Sequence, residues 1–441
     1  MFNKIRPKII LLAILLVSLF FRSYKLNNLY IFDWDQEDDA KKVMEMIDNH
    51  KPRLIGPRVA NDSGFFVGPF HYYFLAPFYA VTKGNPLAGA YASIFVGLIT
   101  TLVIYLVSEK IFGRKGAYLA ALLYAIVPST TSWNVMYTAS LSLLIFYLCY
   151  QLVIGKNKFF PLLIFVYSFS ATTHLVSISL VIPIIVSIFL TTKKPSLKQL
   201  LFSFILLIVP LSPLILFDLR HQFINSKSLL NFISSSGNND NPPYLFLRTY
   251  WRSVNLLFLK NYYLIAAERI IIILTIIISV FLQKNRKIKI FLISWILTPI
   301  ILLSFYHGNI PEYYYGSGNI ITPILISFIL AKYLLIKPLV LLCSAILIFQ
   351  IYFFPSIPTG ITLKNKIEAV SYIVNQKKDS VFNVSYDLPL GWDNGYQYLF
   401  TYLGKLPQNT PEGHLYSISL SSNPSPGEIV YKNSTLSVVR K

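Results

Sequence analysis

The sequence predicts an all-α polytopic membrane protein that ends in a small external α/β domain, and three observations carry that reading. Apolar residues fill 54% of 441 positions and charged ones only 13%, the mean hydropathy is +0.56, and Ile/Leu/Val/Phe runs recur almost from end to end. Short basic clusters punctuate those runs at every second loop,. From Pro355 to Lys441 the apolar pattern gives way to strand-like runs (SVFNVSY, LYSISL, TLSVVRK) and helix-like ones (KNKIEAVSYIVNQ, YQYLFTYLG),.

A crossing takes roughly 20 residues, which gives about eleven spans. In order they are Lys4–Tyr24, Leu87–Val107, Ala117–Ser132, Ala139–Gly155, Phe159–Thr172, His174–Leu190, Leu200–Phe217, Tyr262–Leu282, Ile288–Phe305, Asn319–Tyr333 and Pro338–Phe354. The first run has the apolar centre of a signal peptide, but no small-residue cleavage site follows, so it reads as a retained span. Basic residues cluster at Lys4/Arg6/Lys8, Lys110/Arg114/Lys115, Lys156/Lys158, Lys193/Lys194/Lys198, Lys284/Arg286/Lys287/Lys289 and Lys332/Lys337. These loops are expected in the cytoplasm, with the N-terminus, and the others outside a cell membrane. Residues 1–354 then form the transmembrane domain, with a first external loop over about 25–86, and residues 355–441 form the external one.

The formal charge of +20, from 39 Lys+Arg against 19 Asp+Glu, is accounted for by those anchoring clusters, so no nucleic-acid partner is implied. Cys149 and Cys343 both fall in apolar runs, which excludes a disulfide framework or a zinc site. No Walker loop, GxSxG or HExxH appears, which leaves soluble nucleotide chemistry without support. No span carries a charged residue near its midpoint, which argues against an ion-coupled transporter.

The chemistry concentrates in the first external loop. IFDWDQEDDAKKVMEMIDNH places Asp33, Asp35, Glu37, Asp38 and Asp39 within seven positions of a chain with 19 acidic residues. Ala40, Val43, Met44 and Ile47 follow at helical spacing, so Gln36 to Asp48 is expected to form an amphipathic helix on the membrane surface, with Asp35 as N-cap and Asp38 completing a capping box. Such a cluster serves as a cap and solvated face, as a catalytic carboxylate, or, through adjacent carboxylates, as a divalent-cation site.

The next stretch, KPRLIGPRVANDSGFFVGPFHYYFLAPFYAVTKGNP, separates these readings. A short first span, an acidic WDxxxDA-like segment, then LIGP, a GPFHYYFLAPF phrase, FDLRHQF and PEYYY resemble the family 39 glycosyltransferases of the GT-C superfamily. The branch is one of uncharacterised bacterial members, and the resemblance covers roughly residues 1–354, most specifically Asp33 to Pro86. It implies an inverting transfer of a sugar from a polyprenyl-phosphate donor to a lipid, glycan or protein acceptor outside. Asp35 matches the family's acidic residue, and Gln36 stands where a second carboxylate is common. Gly68 and His71 occupy the region where relatives place a Lys or His on the donor phosphate.

In such a transfer a carboxylate takes the acceptor's proton, which assigns Asp35 as general base. Asp33, Asp38 and His71 complete the acceptor loop. The departing phosphate calls for cations or hydroxyl donors. Arg220 and His221 in FDLRHQF, Arg248 in LRTYWRS and Tyr313 in PEYYY are the candidates, each also readable as an interfacial residue. The competing functions are a surface-polysaccharide polymerase or ligase and a non-catalytic lipid or polysaccharide transporter.

Overall fold

The computed structural model describes residues 7–59, 64–127, 132–235, 244–255, 262–306, 310–353, 360–376, 381–408, 410 and 413–441. Lys4, Arg6 and the expected domain boundary at 354/355 lie outside the described residues. The helices run α1 Pro7–Ser23, α2 Leu26–Leu29, α3 Trp34–Asp48, α4 Phe70–Val81, α5 Ala88–Phe112, α6 Arg114–Ala125, α7 Thr138–Val153, α8 Phe160–Thr173, α9 Val181–Leu190 and α10 Leu197–Arg220. They continue with α11 Ile224–Ser235, α12 Leu245–Ser253, α13 Tyr262–Phe281, α14 Arg286–Ser304, α15 Gly316–Asn319, α16 Thr322–Tyr333 and α17 Ile336–Phe353.

Among the described residues, five helical stretches are long and apolar enough to cross a membrane: α5, Asn134–Val153, α10, α13 and α14, with Glu312–Asn319 and Thr322–Tyr333 making a sixth that is bent by 44°. Other predicted spans fold, among the described residues, into shorter helices, 12 residues in α6 and 14 in α8. The expectation of about eleven full crossings is therefore not established, because an apolar run does not reveal where turns cut it into shorter pieces.

Small residues let the helices approach where apolar side chains gain little by leaving lipid. Ala88, Ala90 and Ala92 of α5 and Ala117, Ala120, Ala121 and Ala125 of α6 are all fully buried. A second core packs Phe146 of α7 edge-on to Trp295 of α14, ring centroids 5.1 Å apart. Leu201, Phe204 and Ile205 of α10 are instead exposed, an outward apolar face suited to lipid contact.

Beyond the bundle, α18 Leu363–Val374 and α19 Tyr396–Tyr402 pack on a sheet of β1 Phe382–Asp387, β2 His414–Leu420, β3 Glu428–Lys432 and β4 Leu436–Arg440. The strand order is β1-β2-β4-β3, with β1 parallel to β2 and the other pairs antiparallel. This domain shares one apolar core with the acidic loop: Phe32, Ala40 and Val43 meet Tyr72 and Leu75 of α4 together with Leu363, Val370 and Leu399. The apolar face of α3, expected to rest on lipid, is covered by protein. An apolar stripe at helical spacing reads the same whichever material covers it.

Candidate active site

Helix α3 starts at Trp34 because Asp33, in an extended conformation (φ −122°, ψ −157°), caps it. Gln36, three residues on, closes the box: its Oε1 accepts the Asp33 N–H at 3.0 Å,. The expected cap at Asp35 and box residue at Asp38 are thus each displaced by two residues. DWDQ and DQED offer equally good capping sequences, and the extended backbone at Asp33 decides between them. The displacement puts Asp35 in the first helical turn.

The acidic residues then separate by partner. Asp33 receives the Lys366 ammonium at 3.0 Å. The Glu37 carboxylate accepts the N–H groups of Gly395 and Tyr398, each at 2.8 Å. Asp38 pairs with Lys42 one turn on. Asp39, buried, bonds His71 Nε2 at 2.8 Å, while His71 Nδ1 meets the Tyr137 hydroxyl at 3.0 Å. Among the described residues Asp35 makes no hydrogen bond or ion pair, and it lines a cavity of about 560 Å³.

That cavity is amphipathic. Its polar wall holds Asp35, Arg58, Asn134, His174, Tyr313 and Tyr314, and its apolar wall holds Ile178, Val181 and Ile182 opposite Pro299, Leu302 and Leu303 of α14. Arg58 is placed by two strands of loop that cross at van der Waals distance. Gly56 N–H donates to Val67 O at 2.8 Å and Gly68 N–H to Thr172 O at 2.7 Å, and a side chain on Gly56 would strike the Gly68 carbonyl,. Trp133 and Tyr313 meet edge to face, 4.8 Å between centroids, at the cavity wall.

Desolvation by the surrounding cavity wall, and then the charges of Asp39 and Asp38, push the Asp35 carboxyl up to about 6, with His71 opposing and Asp33 adding a little,. At neutral pH most of it is ionised yet poised to take a proton. His174 accepts the Val176 N–H through Nδ1 at 3.2 Å. It terminates a turn and packs against the Tyr313 ring.

Of the predicted phosphate contacts, Tyr313 alone reaches the Asp35 cavity. Arg220 and His221 line a separate recess with Gly64, Phe66 and Asn225, and exposed Arg248 sits on α12 outside the cavity lining. FDLRHQF works as a brace. Asp218 accepts the N–H groups of Asn225 at 2.9 Å and Ser226 at 3.1 Å, and the Asn225 side chain grips the Phe66 backbone N–H at 2.7 Å. His71 is in the acceptor loop's core rather than on the cavity surface. Arg58 was not distinguished by sequence, although the two glycines flanking its crossing, in LIGP and VGPF, mark the place. Among the described residues no group of three or more His, Cys, Asp or Glu side chains is arranged to hold a metal ion, and the loop's carboxylates are directed to separate partners.

The family model described as dolichyl-phosphate-mannose-protein mannosyltransferase matches residues 67–217. That segment carries His71, Asn134 and His174. A search of curated protein sequences gives no match. The fold is similar to ArnT from Cupriavidus metallidurans bound to undecaprenyl phosphate, at 10% identity and TM-score 0.63, over 98% of this chain and 97% of that one. It is also similar to the apo state of the same protein, at 11% identity and TM-score 0.61 with the same coverage. The oligosaccharyltransferase AglB from Archaeoglobus fulgidus, in complex with an inhibitory peptide and a dolichol-phosphate, aligns at 13% identity and TM-score 0.50 over 95% of this chain and 70% of that one. Residues 67–217 thus match that family model, and over the whole chain the fold is similar to that of ArnT.

Proposed function

We propose that the protein transfers a sugar from a polyprenyl-phosphate donor to a hydroxyl or amine of an acceptor at the external membrane face, with inversion at the anomeric carbon. The carrying observation is that an unpaired, easily protonated carboxylate and an arginine share the polar wall of one cavity whose other wall is apolar. A lipid-linked phosphate sugar needs that combination of a greasy slot, a cation for the phosphate and a base for the nucleophile.

In the step so drawn, the acceptor oxygen or nitrogen attacks the anomeric carbon from the face opposite the phosphate. The bond from that carbon to the phosphate oxygen breaks, and the phosphate leaves with the electron pair. Asp35 takes the acceptor's proton. Arg58 and the Tyr313 hydroxyl meet the charge growing on the phosphate, a role the sequence alone had given to Tyr313 with Arg220, His221 and Arg248. Polyprenyl phosphates bound to two proteins of this fold support the donor class. Asp33 caps α3 and Asp38 pairs with Lys42, so the acceptor contact falls to Asp35.

The test is to incubate the purified protein with a panel of radiolabelled polyprenyl-phosphate sugars and acceptors. Transfer that is lost in Asp35→Asn, with donor binding kept, supports the reading. Lipid movement without transfer, untouched by Asp35→Asn, replaces it with a transporter.

A further inference from the structure

We infer that the C-terminal domain positions Asp35, with Lys366 and Glu37 as the positioning residues that clamp the start of α3 on either side of it. This inference rests on Asp35 being the base.

The Lys366 ammonium is 1% exposed. Burying such a charge is costly unless each of its donors finds an acceptor, and here it meets three: Phe32 O at 2.8 Å, Asn394 O at 2.7 Å and Asp33 Oδ1 at 3.0 Å. Two of those acceptors belong to the two residues just before α3. Across Asp35, the Glu37 carboxylate is tied to the first turn of α19 by the Gly395 and Tyr398 N–H groups, where helix-end N–H groups favour an anion. The clamp therefore grips positions 33 and 37 and leaves 35 between them facing the cavity.

The joint is built for close approach. Gly395 has φ +89°, and a side chain there would run into the Phe32 carbonyl and come within 3.2 Å of Lys366 Nζ. Leu363 N–H donates to Tyr30 O at 2.8 Å, and the Tyr398 hydroxyl to Gly84 O at 2.7 Å. Simple docking of a domain requires a buried apolar face, which Phe32, Ala40 and Val43 already supply. It does not require a buried ammonium and a carboxylate placed symmetrically about one cavity-facing residue. A carboxylate that makes no bond of its own depends on its backbone for aim, so the clamp sets the distance from base to acceptor.

The experiment compares full-length Lys366→Met, Glu37→Gln, Asp35→Asn and Val438→Ala, the last weakening the domain core at a buried β4 position away from α3. Transfer kinetics are read alongside hydrogen exchange at the Glu37 amide, which bonds Asp33 O at 2.9 Å. Misplacing a catalytic group by about 1 Å costs up to about 100-fold, so Lys366→Met and Glu37→Gln should lower kcat by about 10- to 100-fold with donor KM nearly unchanged, and the Glu37 amide should exchange faster. Val438→Ala should lower Tm without that split. If Lys366→Met fails to fold, Glu37→Gln, which keeps an acceptor oxygen, decides. Parental kcat and protection in both clamp variants, beside an inactive Asp35→Asn, overturn the clamp and leave the base standing. An active Asp35→Asn overturns both.

Discussion

Asp35 differs from its acidic neighbours in what it lacks: Asp33, Glu37, Asp38 and Asp39 each have a named partner, while Asp35 faces open cavity. Replacing it with Asn keeps its shape and removes its basicity, and loss of a general base costs about 10² to 10⁴ in rate. Turnover measured with a polyprenyl-phosphate sugar should fall by that order in Asp35→Asn. The charged and titratable groups around this carboxyl are Asp33, Asp38 and Asp39 on α3, the buried His71 on α4, and Arg58, His174, Tyr306, Tyr313 and Tyr314 on the cavity wall. Because the base works ionised and its pKa is raised to about 6, kcat should decline as pH falls through about 6. Stability runs the other way. A raised carboxyl pKa means that ionising Asp35 works against the fold, an effect absent below the ordinary aspartate value and complete above about 6,. Asp35→Asn should therefore raise Tm at pH 8 and leave it unchanged at pH 4, a contrast that scanning calorimetry or dye-based melting reads directly. On the same wall, Arg58→Ala should raise donor KM, whereas Arg220→Ala, which changes a separate recess, should leave KM near the parental value.

At the scale of elements, the crossing of the 53–59 and 64–68 segments sets the cavity's polar wall. Gly56→Ala puts a methyl against the Gly68 carbonyl, and two backbones cannot part there without moving Arg58, Val59 and Val67, which all line the cavity. Lowered Tm together with lost transfer is expected. Retained activity at an unchanged melting temperature would show that the crossing can spread without disturbing the site. This element also shows what the sequence could and could not reveal. The phrases LIGP and VGPF marked close backbone approach but not the arginine that the approach aims. FDLRHQF follows the end of a long helix and read as a cation pair for phosphate, yet its structural work belongs to Asp218 and to Asn225 just beyond it. For α3 the helix and its apolar face were legible from spacing, while its start was off by two residues because two overlapping capping boxes were equally good. The partners of Asp33 and Glu37 lie more than 330 positions away, a separation that no local pattern encodes.

For the whole molecule, the apolar runs and the polar C-terminal segment were legible from composition alone, and the number of full crossings was not. Several basic loops converge in space. The Lys115 ammonium donates to Ala331 O at 2.9 Å and Leu334 O at 2.7 Å, and the Tyr118 hydroxyl to Pro7 O at 3.1 Å, which gathers the start of α1, the 110–115 loop and the end of α16. Asn157 likewise donates to Lys194 O at 3.1 Å, joining the 156–158 and 193–198 loops. Lys and Arg in short loops are retained on the cytoplasmic side during insertion, so these loops are expected there. Asp35 and the domain that holds it follow the opposite ends of α1 and α17. A donor sugar presented outside then meets the base without crossing the membrane. The prediction is that an enzymatic reporter fused after Lys441 is active only when exported, and that a reporter fluorescent only in the cytoplasm is dark at the same position. A fluorescent C-terminal fusion would invert the protein, place the Asp35 cavity in the cytoplasm and require a donor presented on that face.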